Sequence, residues 1–315
     1  MPSDWVFATG ILGPEDFELD LGNAVPRLLV SSQDRRPKTP PPGGIFAVEI
    51  RPEGFGAVTR MELVGRDAAP FHPHGISLVL RPSSSSLLYV INHAEKDDHR
   101  IEMFRVEGSR LIAEGAPLKS ELFKSPNDLV ALQAGGVYVT NSTGKAGLLG
   151  KVEQLLGLAW SNVVRLRSDG QWEIAAKGIR FANGIAVNAA GDTVYVSATR
   201  GRGIHVFPRN QSTGALGKQA SFIRVPSGVD NLLWENPTTL NVTGHPDLLA
   251  FVRHYRSAAR NAPSDIFRVD VQSGRARLVF RDDGSRASAA STALHYGGRW
   301  YLGRVFDDGV ASCKA

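Results

Sequence analysis

The chain repeats itself, and this repetition limits its possible folds more than any other feature it carries. A short motif, an apolar residue followed by Tyr or Leu, then Val and a small polar residue, recurs with variations. The copies are Leu28-Leu29-Val30-Ser31, Leu88-Tyr89-Val90-Ile91, Val137-Tyr138-Val139-Thr140, Val194-Tyr195-Val196-Ser197, Leu240-Asn241-Val242-Thr243 and Trp300-Tyr301-Leu302-Gly303. Counted from the second residue of each copy, the steps are 60, 49, 57, 46 and 60 residues, a mean of about 54. That is close to the period of kelch-type propeller blades, roughly 50 residues.

Each copy follows a strand-like run that begins about 10 to 15 residues earlier. Several copies precede a third run with period-two alternation, as in Ile101–Val106, Ile204–Phe207 and Ile266–Val269. Three or four short antiparallel strands, repeated six times, predict an all-β, six-bladed β-propeller in a single domain over residues 1–315. A doubly wound α/β sheet would need an amphipathic helix between successive strands. Only residues 144–160 carry helical spacing, through Leu148, Leu149, Val152, Leu155 and Leu156. This segment is expected as a short helical insertion over the active-site face.

Composition supports many turns rather than a disordered tail, because Gly 33 and Pro 18 are spread along all 315 residues. A net charge of +5 is too dilute for a phosphate-binding face, so nucleic acid is not an expected partner. The densest basic stretch, Arg35-Arg36-Pro37-Lys38, runs into Pro40-Pro41-Pro42 and reads as an exposed, proline-stiffened loop. Cys313 is the lone cysteine, which excludes an internal disulfide and a Cys-rich metal site. No apolar run approaches the roughly 20 residues of a bilayer span. The N-terminus shows neither a secretory signal nor a membrane anchor, so a cytoplasmic location is the default expectation. The oligomeric state is left open.

The first strand of a propeller blade lies nearest the central channel, so the opening residues of all six blades face one place. Those openings read Glu15-Asp16-Phe17, His74-Gly75-Ile76, Asn127-Asp128-Leu129, Asn183-Gly184-Ile185, Asp230-Asn231-Leu232 and Ser291-Thr292-Ala293. An isolated Asn-Gly or Asp-Asn pair usually marks a turn. Recurrence in one register instead implies a ring of carboxylates and carboxamides. Such hard oxygen donors suit calcium far better than zinc or copper, and a divalent cation would relieve the repulsion between the acids.

Histidines His74 and His93 stand near the same ring, in His72-Pro73-His74 and Ile91-Asn92-His93. Either could be a structural residue, but a general base is the sharper reading, since imidazole titrates near neutrality. A zinc site would need a third ligand, and no recognised spacing supplies His99 or Glu95 for that role. The chain has no Gly-x-Ser-x-Gly elbow, and Ser142-Thr143-Gly144-Lys145 lacks the glycine spacing of a phosphate loop.

These segments together resemble the serum paraoxonase and arylesterase family. The resemblance rests on Gly13-Pro14-Glu15-Asp16, Pro73-His74-Gly75-Ile76-Ser77, Asn92-His93, Pro126-Asn127-Asp128 and Leu156-Gly157-Leu158-Ala159-Trp160-Ser161. It continues through Phe181-Ala182-Asn183-Gly184-Ile185, Val229-Asp230-Asn231, Gly244-His245-Pro246, and Tyr296-Gly297-Gly298 to Cys313. It implies a calcium-dependent propeller that hydrolyses lactones, with acyl-homoserine lactones among the candidates, and aryl esters. It also implies two calcium ions. A catalytic ion would be held by Glu15, Asn127, Asn183, Asp230 and Asn231. A structural ion would use Asp16, Asp128 and the main-chain carbonyl of Ile76. His74 and His93 would form the proton-handling pair, and Phe181 and His245 would line the pocket.

Four departures limit the resemblance. The hydrophobic N-terminal helix is missing, and only Cys313 remains of the disulfide that joins the chain ends. The loop covering the site has become Gln33-Asp34-Arg35-Arg36 with a proline run, and Ser142-Thr143 replaces an Asp-His pair. The expected chemistry is attack by water on a metal-polarised carbonyl, with His74, oriented by His93, as base, or else a carboxylate such as Glu15 or Asp230. Phe181, Leu232 and the helical segment favour apolar lactones. The alternatives are a gluconolactonase-like sugar lactonase and a non-catalytic binding propeller with structural calcium.

Overall fold

In the computed structural model, which describes residues 2–81, 85–133 and 135–315, the chain forms a ring of six blades, antiparallel except where Glu62–Val64 pairs parallel with Arg110–Ala113. The first blade is Pro14–Asp20, Arg27–Ser32, Gly44–Arg51 and Gly54–Arg60. The second is Pro73–Val79, Leu87–Glu95, Asp98–Glu107 and Arg110–Ala113, with the short strands Glu62–Val64 and Leu118–Lys119 added at its outer side. Blade three follows as Pro126–Ala131, Val137–Asn141, Ser161–Leu166 and Trp172–Ile179. Blade four is Ala182–Val187, Thr193–Ala198, Gly203–Pro208 and Ser221–Arg224, and blade five is Gly228–Asn236, Thr239–His245, Ser264–Asp270 and Arg275–Asp282.

Blade six closes the ring with two distant pieces of chain. Ala290–Tyr296, Arg299–Arg304 and Asp308–Lys314 supply three strands, and Ser3–Leu12 pairs antiparallel with the last of them. No disulfide contributes, because Cys313 is a buried free thiol, which burial pushes up to about 12.

The six repeat motifs all fall on second strands. These strands are covered on both faces, which explains why they read as continuous apolar runs rather than alternating ones. Arg27–Ser32 and Val137–Asn141 are buried throughout, whereas the outer strand Gly54–Arg60 is mostly exposed. The core sits between neighbouring blades. Val229, Leu232, Leu240 and Phe267 of blade five pack on Ala186 and Ile204 of blade four, and equivalent clusters recur around the ring.

Antiparallel connection puts every second-to-third-strand link on the rim where the first strands begin. The helix α1 (Gly147–Leu156) lies in one such link, inside the segment where the sequence places it. A second helix, α2 (Leu248–Arg256), lies in another and has no counterpart in the sequence-based expectation. Its start is set by Asp247, whose carboxylate accepts from the amides of Leu249 and Ala250, both at 2.9 Å. The proline-containing link 33–43 occupies the same rim.

Helix α1 is oriented against its composition. It buries Glu153, which accepts from the Gly144 amide at 2.8 Å and from the Ser161 hydroxyl at 3.2 Å. Leu148, Leu149, Leu155 and Leu156 face solvent, each more than half exposed. They leave an apolar surface open on the rim rather than adding to the core. Leu232 is 4% exposed, packed in the inter-blade core, where it borders a small cavity shared with Asp16 and Asp128. Among the described residues, no helix is long and apolar enough to cross a membrane.

Candidate metal centre and active site

Every first strand begins with a register irregularity against its second strand. The breaks fall between Pro14 and Asp16, Pro73 and Ile76, Pro126 and Leu129, Ala182 and Ile185, Val229 and Leu232, and Ala290 and Thr292. A bulge of this kind re-aims side chains that a regular strand would send to alternate faces. It lets adjacent residues such as Glu15 and Asp16, or Asp230 and Asn231, both serve the channel. The Asn-Gly and Asp-Asn pairs are therefore bulged strand openings and not turns.

Small polar residues from neighbouring strands fix how the ring side chains face. The Asn183 amide nitrogen donates to the Thr199 hydroxyl at 3.1 Å, and that hydroxyl donates to the Val229 carbonyl at 2.7 Å. The Asn231 amide nitrogen donates to Glu15 Oε1 at 3.1 Å. Thr140 donates to the Asn183 carbonyl at 2.6 Å and accepts from the Asp128 amide at 3.0 Å. Ser291 holds the Glu15 carbonyl at 2.5 Å. With the nitrogens of Asn183 and Asn231 so engaged, their amide oxygens are left for the channel.

Those oxygens have no partner. Glu15 Oε2, Asn127 Oδ1, Asn183 Oδ1 and Asn231 Oδ1 are all buried without a hydrogen bond. Buried acceptors are ordinarily satisfied, since an orphan costs about 1–3 kcal/mol. Four at one place, all acceptors and all hard oxygens, fit a divalent cation such as calcium. Among the described residues, no three His, Cys, Asp or Glu side chains could hold a metal by themselves. Any cation here depends on the three carboxamides.

The charges agree with that donor set. Burial raises the Glu15 carboxyl to about 7, the Arg35 guanidinium opposes the rise, and the charge of Asp230 adds to it. Deeper in the channel, Asp16 and Asp128 are pushed well above the ordinary carboxylate range, chiefly by burial, and each also faces neighbouring acids. Asp16 accepts from the Ile76 amide at 2.9 Å, and Asp128 accepts from the Ile185 amide at 2.8 Å. The contact made by Ile76 is thus through its N–H.

His74 borders the ring, its Nε2 3.7 Å from Glu15 Oε2. Its Nδ1 meets His93 Nε2 at 2.8 Å, and His93 Nδ1 meets His99 Nδ1 at 2.9 Å. His72 braces this line through Nδ1, 3.0 Å from the His93 carbonyl. Burial, then the positive charge of Arg35, holds His74 well below the usual imidazole range. Burial and His99 lower His93 to about 3. All three imidazoles are held toward the neutral form.

His245 is 2% exposed, and its Nε2 meets Asp230 Oδ2 at 2.7 Å. It therefore orients a ring carboxylate, and its other face packs on Phe251 of α2 with ring centroids 4.3 Å apart. Phe181 sits just before the blade-four opening with a left-handed φ of 63°, and its carbonyl accepts from the Thr199 amide at 3.0 Å.

Arg35 and Arg36 turn inward rather than sharing the exposure of Pro37-Lys38-Thr39. Arg35 donates to the carbonyls of Gly13, Gln33 and Pro73 at 2.8, 3.1 and 3.2 Å, beside the residues that present Glu15 and His74. Arg36 ion-pairs with Asp307 at 3.0 Å and stacks over Phe306. Sequence reasoning missed these anchors, because a basic run beside prolines looks the same whether it is solvated or pinned. It also missed Thr199. The signal for Thr140 was present, as the small polar end of the repeated motif.

Comparison with known proteins agrees with this architecture. A family model described as Arylesterase matches residues 36–313. Serum paraoxonase/lactonase 3 of Homo sapiens is 30% identical over 271 residues, covering 84% of this chain and 75% of that protein. Serum paraoxonase/arylesterase 1 of Mus musculus is 29% identical over 281 residues with the same coverages. Among solved structures, a putative gluconolactonase superposes with a TM-score of 0.61 at 15% identity, over 99% of this chain and 92% of its own. The calcium-binding protein regucalcin from Agrobacterium tumefaciens gives 0.58 at 13% identity, over 98% and 95%. These two show the shared propeller fold. The chain belongs to the arylesterase family.

Proposed function

We propose that the protein is a calcium-dependent hydrolase of lactones and aryl esters. The observation that carries this reading is the set of four orphaned oxygens on Glu15, Asn127, Asn183 and Asn231, gathered beside His74. Glu15, Asn127, Asn183, Asp230 and Asn231 would hold the catalytic ion. Asp16, Asp128 and the carbonyl of Ile76 would hold a second, structural one, which relieves the mutual repulsion of the two buried acids. The family match and the names of the relatives support ester or lactone chemistry, and regucalcin supports calcium.

When bound, calcium supplies Lewis-acid polarisation of the scissile carbonyl and offsets the charge that develops on its oxygen. The remaining work falls to the protein. His74, kept neutral by burial, presents Nε2 as the acceptor for a proton of the attacking water. His93 holds Nδ1 of His74 and so fixes the tautomer. His245 orients Asp230, and Phe181 offers an apolar surface at the mouth. Arg35 brings a positive charge close to the ring, where it holds His74 neutral and disfavours a cationic substrate.

The test is hydrolysis of aliphatic γ- and δ-lactones, acyl-homoserine lactones, sugar lactones and phenyl acetate by purified protein, before and after chelation, with calcium added back. Turnover lost with chelator and recovered with calcium is expected, together with loss of metal and activity in Asp230→Ala and Asn183→Ala. Calcium-dependent melting without turnover of any substrate would replace the enzyme with a binding propeller. Activity indifferent to chelation would remove calcium from the mechanism.

A further inference from the structure

Lactone hydrolysis near neutral pH yields a carboxylate and an alcohol and releases one proton per turnover. A base that takes the water proton must give it up again before the next cycle, either directly to the leaving alkoxide or by way of solvent. His74 is 19% exposed and faces Glu15, so its catalytic side offers little access to bulk water. The other side of the ring leads outward through His93 to His99.

The hydrogen bonds allow one proton arrangement when Nε2 of His74 is free to accept. His74 then carries its proton on Nδ1 and donates to His93 Nε2 across 2.8 Å. His93 must carry its proton on Nδ1 and donate to His99 Nδ1 across 2.9 Å. His99 is left with its proton on Nε2, which has no protein partner among the described residues. The line is held rigidly, since His93 and His99 face each other on paired strands of blade two. Their rings stand 4.8 Å apart at 89°, and Asp97 and Asp98 flank His99 with negative charge at the outer end.

We propose that His99 is the exit of a three-histidine proton relay, a positioning and relay residue that connects the base His74 to solvent. This rests on His74 being the base. In the forward step, Nε2 of His74 gains the proton of the attacking water, and Nδ1 of His74 gives its proton to Nε2 of His93. Nδ1 of His93 gives its proton to Nδ1 of His99, and Nε2 of His99 releases one to water or buffer. No bond other than N–H and O–H changes along the line. When the alkoxide leaves, the line runs backwards: a solvent proton enters at Nε2 of His99, Nε2 of His74 gives its proton to the alkoxide, and all three tautomers are reset. The proton released per turnover is that of the carboxylic acid product.

The test compares wild type with His99→Phe and His99→Gln, each saturated with calcium, on the fastest lactone found. In weakly buffered medium, kcat of both variants should fall by about tenfold, well inside the range attributed to positioned proton transfer. KM, the calcium midpoint and the melting temperature should stay at wild-type values. Added imidazole should restore kcat with saturation, and the solvent deuterium isotope effect should rise. Unchanged kcat at every buffer concentration, with His74→Gln inactive, would overturn the relay and leave the base intact. A loss that imidazole does not restore would show a structural role and also overturn it. Full activity in His74→Gln would instead remove the base itself.

Discussion

Glycine 184 gives a sharp test of how the ring is built. A Cβ added there would lie 2.7 Å from Asn231 Cα, 2.8 Å from the Asp230 carbonyl oxygen and 2.9 Å from the Leu232 nitrogen. Ordinary carbon contacts begin near 3.5 Å, so the blade-five opening would have to retreat by roughly 0.6 Å or more. All three obstacles are backbone, and none can swing aside. Metal-ligand distances tolerate about 0.2 Å, which the retreat exceeds for Asp230 and Asn231. Gly184→Ala should therefore weaken calcium binding by about 10–100-fold, the range seen when support of a ligand is lost, and cost about 1–3 kcal/mol through overpacking. Gly217→Ala is the control, because its Cβ would meet Pro208 Cγ at 2.9 Å, outside the ring. Thermal melts over a calcium series separate the effects, since stabilisation follows the ratio of free calcium to Kd. Gly184→Ala should shift the whole calcium dependence, and Gly217→Ala only its baseline. If Gly184→Ala kept the wild-type calcium midpoint while melting early, close approach of the two blades would not be what holds the ligands.

Three further outcomes are expected. His93 has a folded pKa of about 3 against an ordinary 6.5, so the neutral form's contribution is complete above 6.5 and declines as pH falls toward 3. Between pH 8 and pH 5, wild type should lose about 1–2 kcal/mol relative to His93→Gln in urea melts, and a pH-independent difference would contradict the burial of a neutral imidazole. Arg35→Met removes a cation that faces Glu15 and Asp230. Calcium should bind a few-fold more tightly while KM rises as the 33–43 link loosens, and weaker calcium binding would refute the electrostatic reading. Cys313, fully buried with a raised thiol, should not react with a disulfide reagent until the protein unfolds, so fast labelling of the native chain would show that the blade-six seam opens.

The blades were legible because each carries its own copy of an apolar second strand, and a strand buried on both faces needs no partner's identity to be recognised. The ring residues were legible through register, as equivalent positions in six copies. What escaped depends on relations between copies. Helix α2 is a nine-residue segment whose start, Leu248-Leu249-Ala250, follows Pro246-Asp247. The short apolar run is equally compatible with a strand. The core position of Leu232 was not legible, since it depends on the bulge ending there and returning the chain to regular alternation, which packs Leu232 between blades. The leucines of α1 show helical spacing, but spacing cannot say which face packs inward. A single buried carboxylate, Glu153, decides it.

The seam in blade six has a consequence for how the chain can be rewired. Ser3 stands opposite Lys314 in adjacent antiparallel strands, Asp4 and Lys314 form an ion pair, and Arg299 donates to the Asp4 carbonyl at 2.7 Å. The polypeptide path is thus nearly a closed circuit, and the ring does not depend on where that circuit is cut. A circular permutant that links residues 314 and 3 by a short spacer, with new ends in the outer-to-inner connection around Asp283–Ser285, would keep all six sheets and every ring residue. Its seam would then be held covalently within one blade. The noncovalent closure would move to the contact between blades five and six, so that one molecule could report what each kind of joint contributes to holding the ring shut.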